Sequence, residues 1–200
     1  LLKGITMQIP LFKPQTEWLP PENFPDLSKY DEIAIDLETK DPDLMKMGSG
    51  SVVGKGDVTG IAVAVPGWSG YYPIAHEGGG NMDRKKVLTW FQGVLDTPAI
   101  KIFHNAMYDV CWIQALGLSV SGKIVDTMIA SALVDGNQMR YGLNNCAHRY
   151  TGQGKKETGV DTQIWAARSI AQVFEKLRLP FDRTEKTNSP SFTKNFLQNH

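Results

Sequence analysis

The stretch IAIDLETKDPDL, residues 33–44, decides the fold and raises the question of function. A short apolar run leads into Asp36 and Glu38, which are separated by one residue. Successive side chains of a strand point to opposite faces, so these two carboxylates share a face and Leu37 lies opposite. Neighbouring carboxylates repel and are costly to desolvate, and a divalent cation would relieve both costs. The alternative is a strand that simply runs out into solvent.

The periodicity around this strand predicts an α/β fold. Three strands come first, and strands then alternate with helices, which indicates a mixed sheet flanked by helices with its site at strand ends. Residues 40–57 are expected to form a loop, and the second and third strands a hairpin. Strands are predicted at 32–38, 58–65, 70–75, 100–105 and 122–127, and helices at 82–96, 106–118, 128–135, 142–152 and 162–177.

Composition sets wide limits on function. The 200 residues suit one domain, or one and a fragment, and 42% apolar residues are enough for a core. Lysine and arginine together number 21, and so do aspartate and glutamate, which gives a net charge near zero. The overall charge therefore does not indicate nucleic-acid binding, although a local basic patch can exist. No run of about 18 apolar residues and no signal peptide is found. Cys111 and Cys146 have no zinc-site or disulfide spacing and are expected to be buried free thiols, as in a reducing cytosol.

A second cluster of polar residues follows the predicted strand IKIFHN. Asp109 lies about one helical turn after Asn105, and Tyr108 precedes it. Asp109 can therefore turn back toward the strand end and meet Asp36 and Glu38, or it can be a solvated helix residue. The Asn105 amide can hold a phosphate or a sugar, or it can cap the helix.

Two further features each allow two interpretations. Asp126 ends a predicted strand before an apolar helix and is either the helix N-cap or a ligand or outer-shell residue of the site. The run HEGGGN, residues 76–81, fits a backbone anion nest or a turn from a hairpin into a helix.

Taken in order, four motifs resemble the 3′→5′ proofreading exonuclease domain of family A DNA polymerases, and most closely the phage-type enzymes, in which YYPIAHEGGGN also has a counterpart. The four motifs are IAIDLET (33–39), KIFHNAMYDVCWIQALGL (101–118), IVDTMIASALVD (124–135) and GLNNCAHRYTGQGKKE (142–157). The resemblance implies a ribonuclease H-like fold for residues 30–157, after a proline-rich, extended lead-in at 1–29.

The resemblance also implies a mechanism. Two divalent cations, Mg²⁺ or Mn²⁺, would support phosphodiester hydrolysis at the 3′ end of single-stranded DNA. Three acids would serve both as metal ligands and as catalytic residues, namely Asp36, Glu38 and Asp109. Among them, Asp36 would be the bridging ligand. Substrate contacts would come from Leu37, Thr39, Asn105 and Tyr108. Phe103 is a further stacking candidate, although core packing is favoured for both Phe103 and Tyr108. If the gene belongs to a phage, the protein is expected in the host cytoplasm.

The family's third motif, Y-x-x-x-D on a later helix, is not found. Residues 164–197 instead resemble the polymerase thumb, and only TGVDTQ separates them from GQGKKE, as after an internal deletion. Residues 158–200 are therefore expected to be a helical, thumb-like fragment, in which Asp161 is a weak substitute for the missing ligand. No palm motif is present, so DNA synthesis is not expected.

The thumb-like fragment is basic and would contact duplex DNA phosphates without sequence preference, or form a solvated face. Its basic residues are Arg168, Lys176, Arg178, Arg183, Lys186 and Lys194. Two functions follow from the whole pattern: an exonuclease, or a non-catalytic nucleic-acid-binding remnant of a polymerase. An RNA-trimming exonuclease is disfavoured by the thumb-like fragment. No membrane partner is expected.

Overall fold

A computed structural model describes residues 20–155 and 161–178, with side chains in the second range from residue 164 onward. Five strands form one mixed sheet in the order β3-β2-β1-β4-β5. The strands are β1 (Glu32–Lys40), β2 (Asp57–Val65), β3 (Trp68–Pro73), β4 (Ile100–Phe103) and β5 (Ile124–Asp126). β2 lies antiparallel to β1 and β3, whereas β4 lies parallel to β1 and β5. The predicted α/β class, the mixed sheet and the hairpin are confirmed.

Seven helices accompany the sheet in the described residues. They are α1 (Leu44–Met47), α2 (Gly50–Val53), α3 (Arg84–Asp96), α4 (Ala106–Ala115), α5 (Thr127–Val134), α6 (Leu143–Thr151) and α7 (Asp161–Arg178). The prediction of an unbroken loop at 40–57 was wrong, because α1 and α2 lie within it. Each has four residues, which is too short to show a helical period. No helix in the described ranges is long and apolar enough to cross a bilayer.

The two faces of the sheet carry different cores. One face packs large side chains of β1, among them Ile33, Ile35 and Leu37, against α3 and α4. The other face presents small residues, Ala34 and Ala62 among them, and α7 packs on it. Small side chains let the helix axis come close to the sheet, so the alternation along β1 explains why each face takes its own helices.

The packing of α7 makes it part of the same unit as the sheet. Its Ile164, Ala167 and Ile170 share one apolar cluster with β1 and β2, and α6 packs against its outer side. Residues 164–178 therefore pack in the same core as the described residues 30–155. Their origin in a thumb, and the boundary at 157/158, stay predictions.

The two cysteines differ in burial. Both are free, and Cys146 is buried between α6 and α7 as predicted. The prediction that Cys111 is buried was wrong, because it is only half-buried on α4. Its helix neighbours Trp112 and Ile113 take the core positions instead.

Candidate active site

Asp36 and Glu38 lie where β1 leaves the centre of the sheet. Both are half-buried, and Leu37 between them is 7% exposed and packs in the opposite core. Asp36 is paired with Ala62 of β2 and Glu38 with Gly60, so both carboxylates project from the face that carries α7. The pairing register shifts just after Glu38, which ends the regular ladder at this point. The predicted shared face of the two acids is confirmed.

Asp109 reaches the same strand from α4. β4 ends at Phe103, and Asn105 then turns the chain with a φ of 68°, the only positive φ of a non-glycine residue in the described ranges. Asp109 lies in the first turn of α4, is 4% exposed, and its Oδ1 accepts a hydrogen bond from the backbone N–H of Leu37 at 3.0 Å. The interpretation of Asp109 as a solvated helix residue is therefore excluded.

The three acids influence one another electrostatically. Burial, and then the charges of Asp109 and Glu38, hold the pKa of Asp36 well above its usual range, while Lys155 opposes this shift. The pKa of Asp109 is raised to about 7, chiefly by burial and to a smaller extent by the charges of Asp126 and Glu38, against the lowering effect of the Leu37 N–H bond. Such a cluster needs a proton or a cation to be stable at neutral pH.

The donor chemistry fits a hard divalent cation. Carboxylate oxygens are the ligands that Mg²⁺ and Mn²⁺ prefer. Burial, together with the charges of neighbouring acids, raises the pKa of both Asp36 and Asp109, so a nearby cation would stabilise their ionised forms. Across the described residues, no three His, Cys, Asp or Glu side chains already surround one point as ligands.

Asp126 joins the starts of two helices. Its carboxylate accepts hydrogen bonds from Met128 and Ile129 at the N-terminus of α5, which confirms the predicted N-cap. It also accepts from the N–H groups of Asn105 and Ala106, at 3.0 and 2.8 Å, at the start of α4. Through these bonds Asp126 sets the position from which α4 presents Asp109.

Asn105 occupies the N-cap position of α4 without capping it through its side chain. The capping interpretation was therefore wrong, because Asp126 satisfies the first N–H groups instead. Asparagine tolerates the left-handed backbone that this sharp turn needs. Its side chain is exposed and makes no capping bond.

Tyr108 connects the strand end to the loop that follows. Its hydroxyl lies 2.8 Å from the Thr39 hydroxyl and donates to Asp41 Oδ2 at 3.1 Å. Asp41 Oδ2 also accepts from the Gly50 N–H at 2.9 Å. Asp41 lies in the loop between β1 and α1, and no sequence pattern marks its bond to Tyr108, because the two residues are 67 positions apart. Phe103 is fully buried, as core packing requires.

Two of the three described basic residues of the thumb-like fragment already have hydrogen-bond or ion-pair partners. Arg168 donates to the Ser69 hydroxyl at 2.7 Å, and Arg178 forms ion pairs with Glu32 and Glu175. Only Lys176 of the described three is exposed, so a basic strip along α7 is not formed. Arg183, Lys186 and Lys194 lie outside the described residues.

The first turns of α7 lie toward the carboxylates. The helix ends at Arg178, which pairs with Glu32 at the start of β1, so α7 runs antiparallel to β1. Ile164 belongs to the apolar cluster that also contains Ala62, the partner of Asp36, and Tyr71. The first described side chain of the helix is therefore apolar. Asp161 begins the helix, and its side chain lies outside the description.

Comparison with known sequences gives a consistent result. The sequence model of the 3′-5′ exonuclease family matches residues 14–172. A DNA-directed DNA polymerase of Pseudomonas phage M6 is 32% identical over 164 residues, which are 76% of this chain and 24% of that protein. DNA polymerase I of Pseudomonas aeruginosa is 28% identical over 133 residues, 63% of this chain and 14% of that protein. The chain thus spans about a quarter or less of these relatives.

Solved structures share the fold. The POL domain of Pol1 from M. smegmatis, in complex with DNA primer-template and dNTP, aligns with a TM-score of 0.59 at 18% identity, covering 78% of this chain and 25% of that one. Brucella melitensis NrnC bound to pGG gives 0.56 at 19%, covering 79% and 76%. Escherichia coli RNase D, an exoribonuclease, gives 0.53 at 14%, covering 76% and 41%. These likenesses confirm the predicted ribonuclease H-like fold.

Proposed function

Because the chain belongs to the 3′-5′ exonuclease domain family of family A DNA polymerases, we propose that it shortens single-stranded DNA from the 3′ end and releases nucleoside monophosphates. The observation that carries this proposal is the meeting of Asp109 with the strand that bears Asp36 and Glu38. Three carboxylates from two distant segments converge there at a cost in electrostatic energy. The cation of a hydrolytic metal site would offset that cost, which is why such clusters are typical of functional sites.

Two divalent cations, when bound, would supply an activated water and stabilise the leaving 3′ oxygen. Asp36, Glu38 and Asp109 would hold these cations, and we propose Asp36 as the ligand that they share. Water attacks phosphorus, the bond from phosphorus to the 3′ oxygen breaks, and that oxygen takes up a proton. The burial of Asp109 keeps bulk water away from this end of the site.

The substrate strand would be held by groups around the acids. The exposed amide of Asn105 is free of a capping bond and suits a phosphate or sugar oxygen. Thr39 and Tyr108 would steady the terminal nucleotide through their joined hydroxyls. Leu37 is buried, so its contribution would be limited to the small exposed part of its side chain.

A second candidate is a non-catalytic remnant that binds nucleic acid. The apolar side chain of Ile164 favours it, because Ile164 shares a cluster with Ala62, the partner of Asp36, and supplies no further carboxylate there. A carboxylate cluster short of one ligand would still attract a cation, but would hold it less firmly.

A digestion assay separates the two candidates. The protein is incubated with 5′-labelled single-stranded DNA and Mn²⁺ or Mg²⁺, and with RNA of the same sequence. A DNA ladder shortened from the 3′ end, lost in Asp36→Ala and kept in the exposed-carboxylate control Glu22→Ala, supports the exonuclease. Binding without shortening supports the remnant, and shortening of RNA alone would support the RNA-trimming alternative.

The organisation of a longer protein is part of the proposal. The chain covers 24% of the phage M6 relative, so a place in a replicating, proofreading polymerase is inferred from that relative. We assign residues 30–157 to the exonuclease unit and 158–200 to a thumb-derived segment that could approach duplex DNA. A phage origin would place the protein in the host cytoplasm.

A further inference from the structure

Lys40 ends β1 two residues after Glu38, at the end of the strand that bears the acids. Its ammonium forms an ion pair with Glu77, and the two side chains are 57% and 79% exposed. Neither side chain has another hydrogen-bond or ion-pair partner among the described residues. Exposed pairs of this kind add little to stability, so the pair can open at little cost.

Glu77 belongs to the HEGGGN run, which is the turn from the β2–β3 hairpin into α3, one of the two interpretations drawn from the sequence. The side chain of Asn81 fixes the start of this turn, because it accepts from the His76 N–H at 2.7 Å and donates to the His76 carbonyl at 2.8 Å. A Cβ atom on any of the glycines 78–80 would meet nothing within 4 Å, so the surface beside Glu77 is open. Both β1 and β3 lie antiparallel to β2 between them, so the turn after β3 lies beside the end of β1.

Arg84, a basic neighbour of Lys40, is held more firmly. Its guanidinium donates two hydrogen bonds, of 2.9 and 2.8 Å, to the carboxylate of Asp57, which is the β2 partner of Lys40. Lys40 is held at one point only, and its ammonium has three donors on a flexible stem. Lys40 is therefore the cation at this place that can turn to another anion.

A nucleic-acid strand needs such a cation near the acids. The chain carries no net charge at pH 7, so no overall field draws phosphates toward it. Wherever they are ionised, the carboxylates of Asp36, Glu38 and Asp109 repel the phosphates of a strand. A lysine two residues from Glu38 offsets that repulsion for a phosphate beyond the scissile one.

We propose that Lys40 binds a backbone phosphate of the single strand, and that Glu77 competes with this phosphate for the same ammonium. In the free protein the ammonium pairs with Glu77, and on binding it exchanges the carboxylate for the phosphate. This inference rests on the proposed function, because it takes single-stranded DNA as the ligand. The exchange replaces one exposed ion pair with another, so the strand is held weakly here and can advance after each nucleotide is removed.

The two residues should act in opposite directions on DNA binding, which a merely structural ion pair would not do. The measurement is the Kd of a fluorescently labelled single-stranded oligonucleotide, by anisotropy at several salt concentrations, in chelator so that the strand stays intact. Lys40→Gln is expected to weaken binding by about three- to tenfold at low salt and to reduce the salt dependence of log Kd by about 0.7. Glu77→Gln is expected to tighten binding by about two- to fivefold.

Lys29→Gln is the matched control, because Lys29 is an exposed lysine just before the opposite end of β1. It should change neither the Kd nor its salt dependence. In the Lys40→Gln background, Glu77→Gln should give no further gain, because the gain needs the Lys40 ammonium. An equal gain in both backgrounds would overturn the exchange, since Glu77 would then only repel DNA.

The phosphate contact would also be overturned by a wild type that binds no single-stranded DNA, or by equal affinity of wild type, Lys40→Gln and Lys29→Gln. Shifts of Kd in the same direction for Lys40→Gln and Glu77→Gln would have the same meaning. Digestion with Mn²⁺ reports separately on the proposed function. A DNA ladder with unchanged Kd values removes the phosphate contact alone, whereas opposite shifts of Kd without a ladder keep the contact and support the non-catalytic remnant.

Discussion

The side chain of Asp109 accepts a hydrogen bond from the backbone of Leu37 at 3.0 Å, across 72 positions of sequence. The bond ties α4 to the strand that carries Asp36 and Glu38, so Asp109 has a structural task beside its proposed metal-binding one. A carboxamide can keep the first task and lose the second, because its oxygen still accepts the N–H but carries no charge.

Asp109→Asn should therefore weaken Mn²⁺ binding while leaving the free energy of unfolding, in chelator, within about 1 kcal/mol of wild type. Asp109→Leu should also lose Mn²⁺ binding, and should unfold about 1–3 kcal/mol more easily because the Leu37 N–H stays buried without an acceptor. Urea unfolding and Mn²⁺ titration of both variants measure the two effects. An Asp109→Asn protein that unfolds as easily as Asp109→Leu would show that the charge itself is structural.

The pH dependence of stability should have an unusual sign. The pKa of Asp109 is raised to about 7 in the folded chain, so the folded state holds a proton that the unfolded state releases near pH 4. The resulting stability is complete below the unfolded pKa and is lost as the pH rises through about 7. In the presence of a chelator, the ionisation of Asp109 alone should lower the free energy of unfolding by about 2 kcal/mol between pH 5.5 and 8. Urea unfolding at both pH values checks this, and Asp109→Asn should remove the part of the decline that Asp109 causes while leaving the part due to Asp36, whose pKa is also raised.

Asp126→Ala should destabilise the fold more than removal of an ordinary cap. The carboxylate serves the N-termini of α4 and α5 together, and each lost cap costs about 1 kcal/mol, so we expect about 2 kcal/mol. Asp83→Ala is the control, because Asp83 caps α3 alone through one bond to Lys86 N–H and should cost about half as much. Equal losses in the two variants, measured by urea unfolding, would contradict the double role.

The sequence predicted the parts of the site that depend on local periodicity. A strand period of two places Asp36 and Glu38 on one face, and one helical turn separates Asn105 from Asp109, so both segments could be read from spacing alone. The apolar stripe of the last helix was also visible. The class of fold followed from the order of these elements.

Other parts depend on contacts between distant segments and have no local pattern. The cap that Asp126 places on α4 spans 20 positions, and the bond from Tyr108 to Asp41 spans 67. The packing of α7 depends on a flat surface of the sheet. In the sequence, the small residues Ala34, Ala62 and Ala64 were the feature that could have indicated such a surface. Alternating alanines on two paired strands indicate a face that a helix can approach closely.

The packing of Ile164 makes a gain of metal binding possible. Ile164 belongs to the apolar cluster that contains Ala62, the partner of Asp36, so we expect an acid at position 164 to reach the side chains of the proposed site. In chelator, Ile164→Asp should lower the free energy of unfolding by about 2–5 kcal/mol, because it removes a buried apolar side chain and adds a charge. Mn²⁺ should then restore much of that stability, since a ligand stabilises the state that binds it.

Ile170→Asp is the matched control for this variant. Ile170 is fully buried in the same cluster on α7, but lies more than one turn further toward Arg178, the end that pairs with the start of β1. It should be destabilised in the same way and should gain nothing from Mn²⁺ beyond the gain of the wild type. Thermal unfolding of both variants with and without Mn²⁺ separates the cases. Equal recovery of the two proteins, or recovery of neither, would show that position 164 does not reach the metal-binding acids.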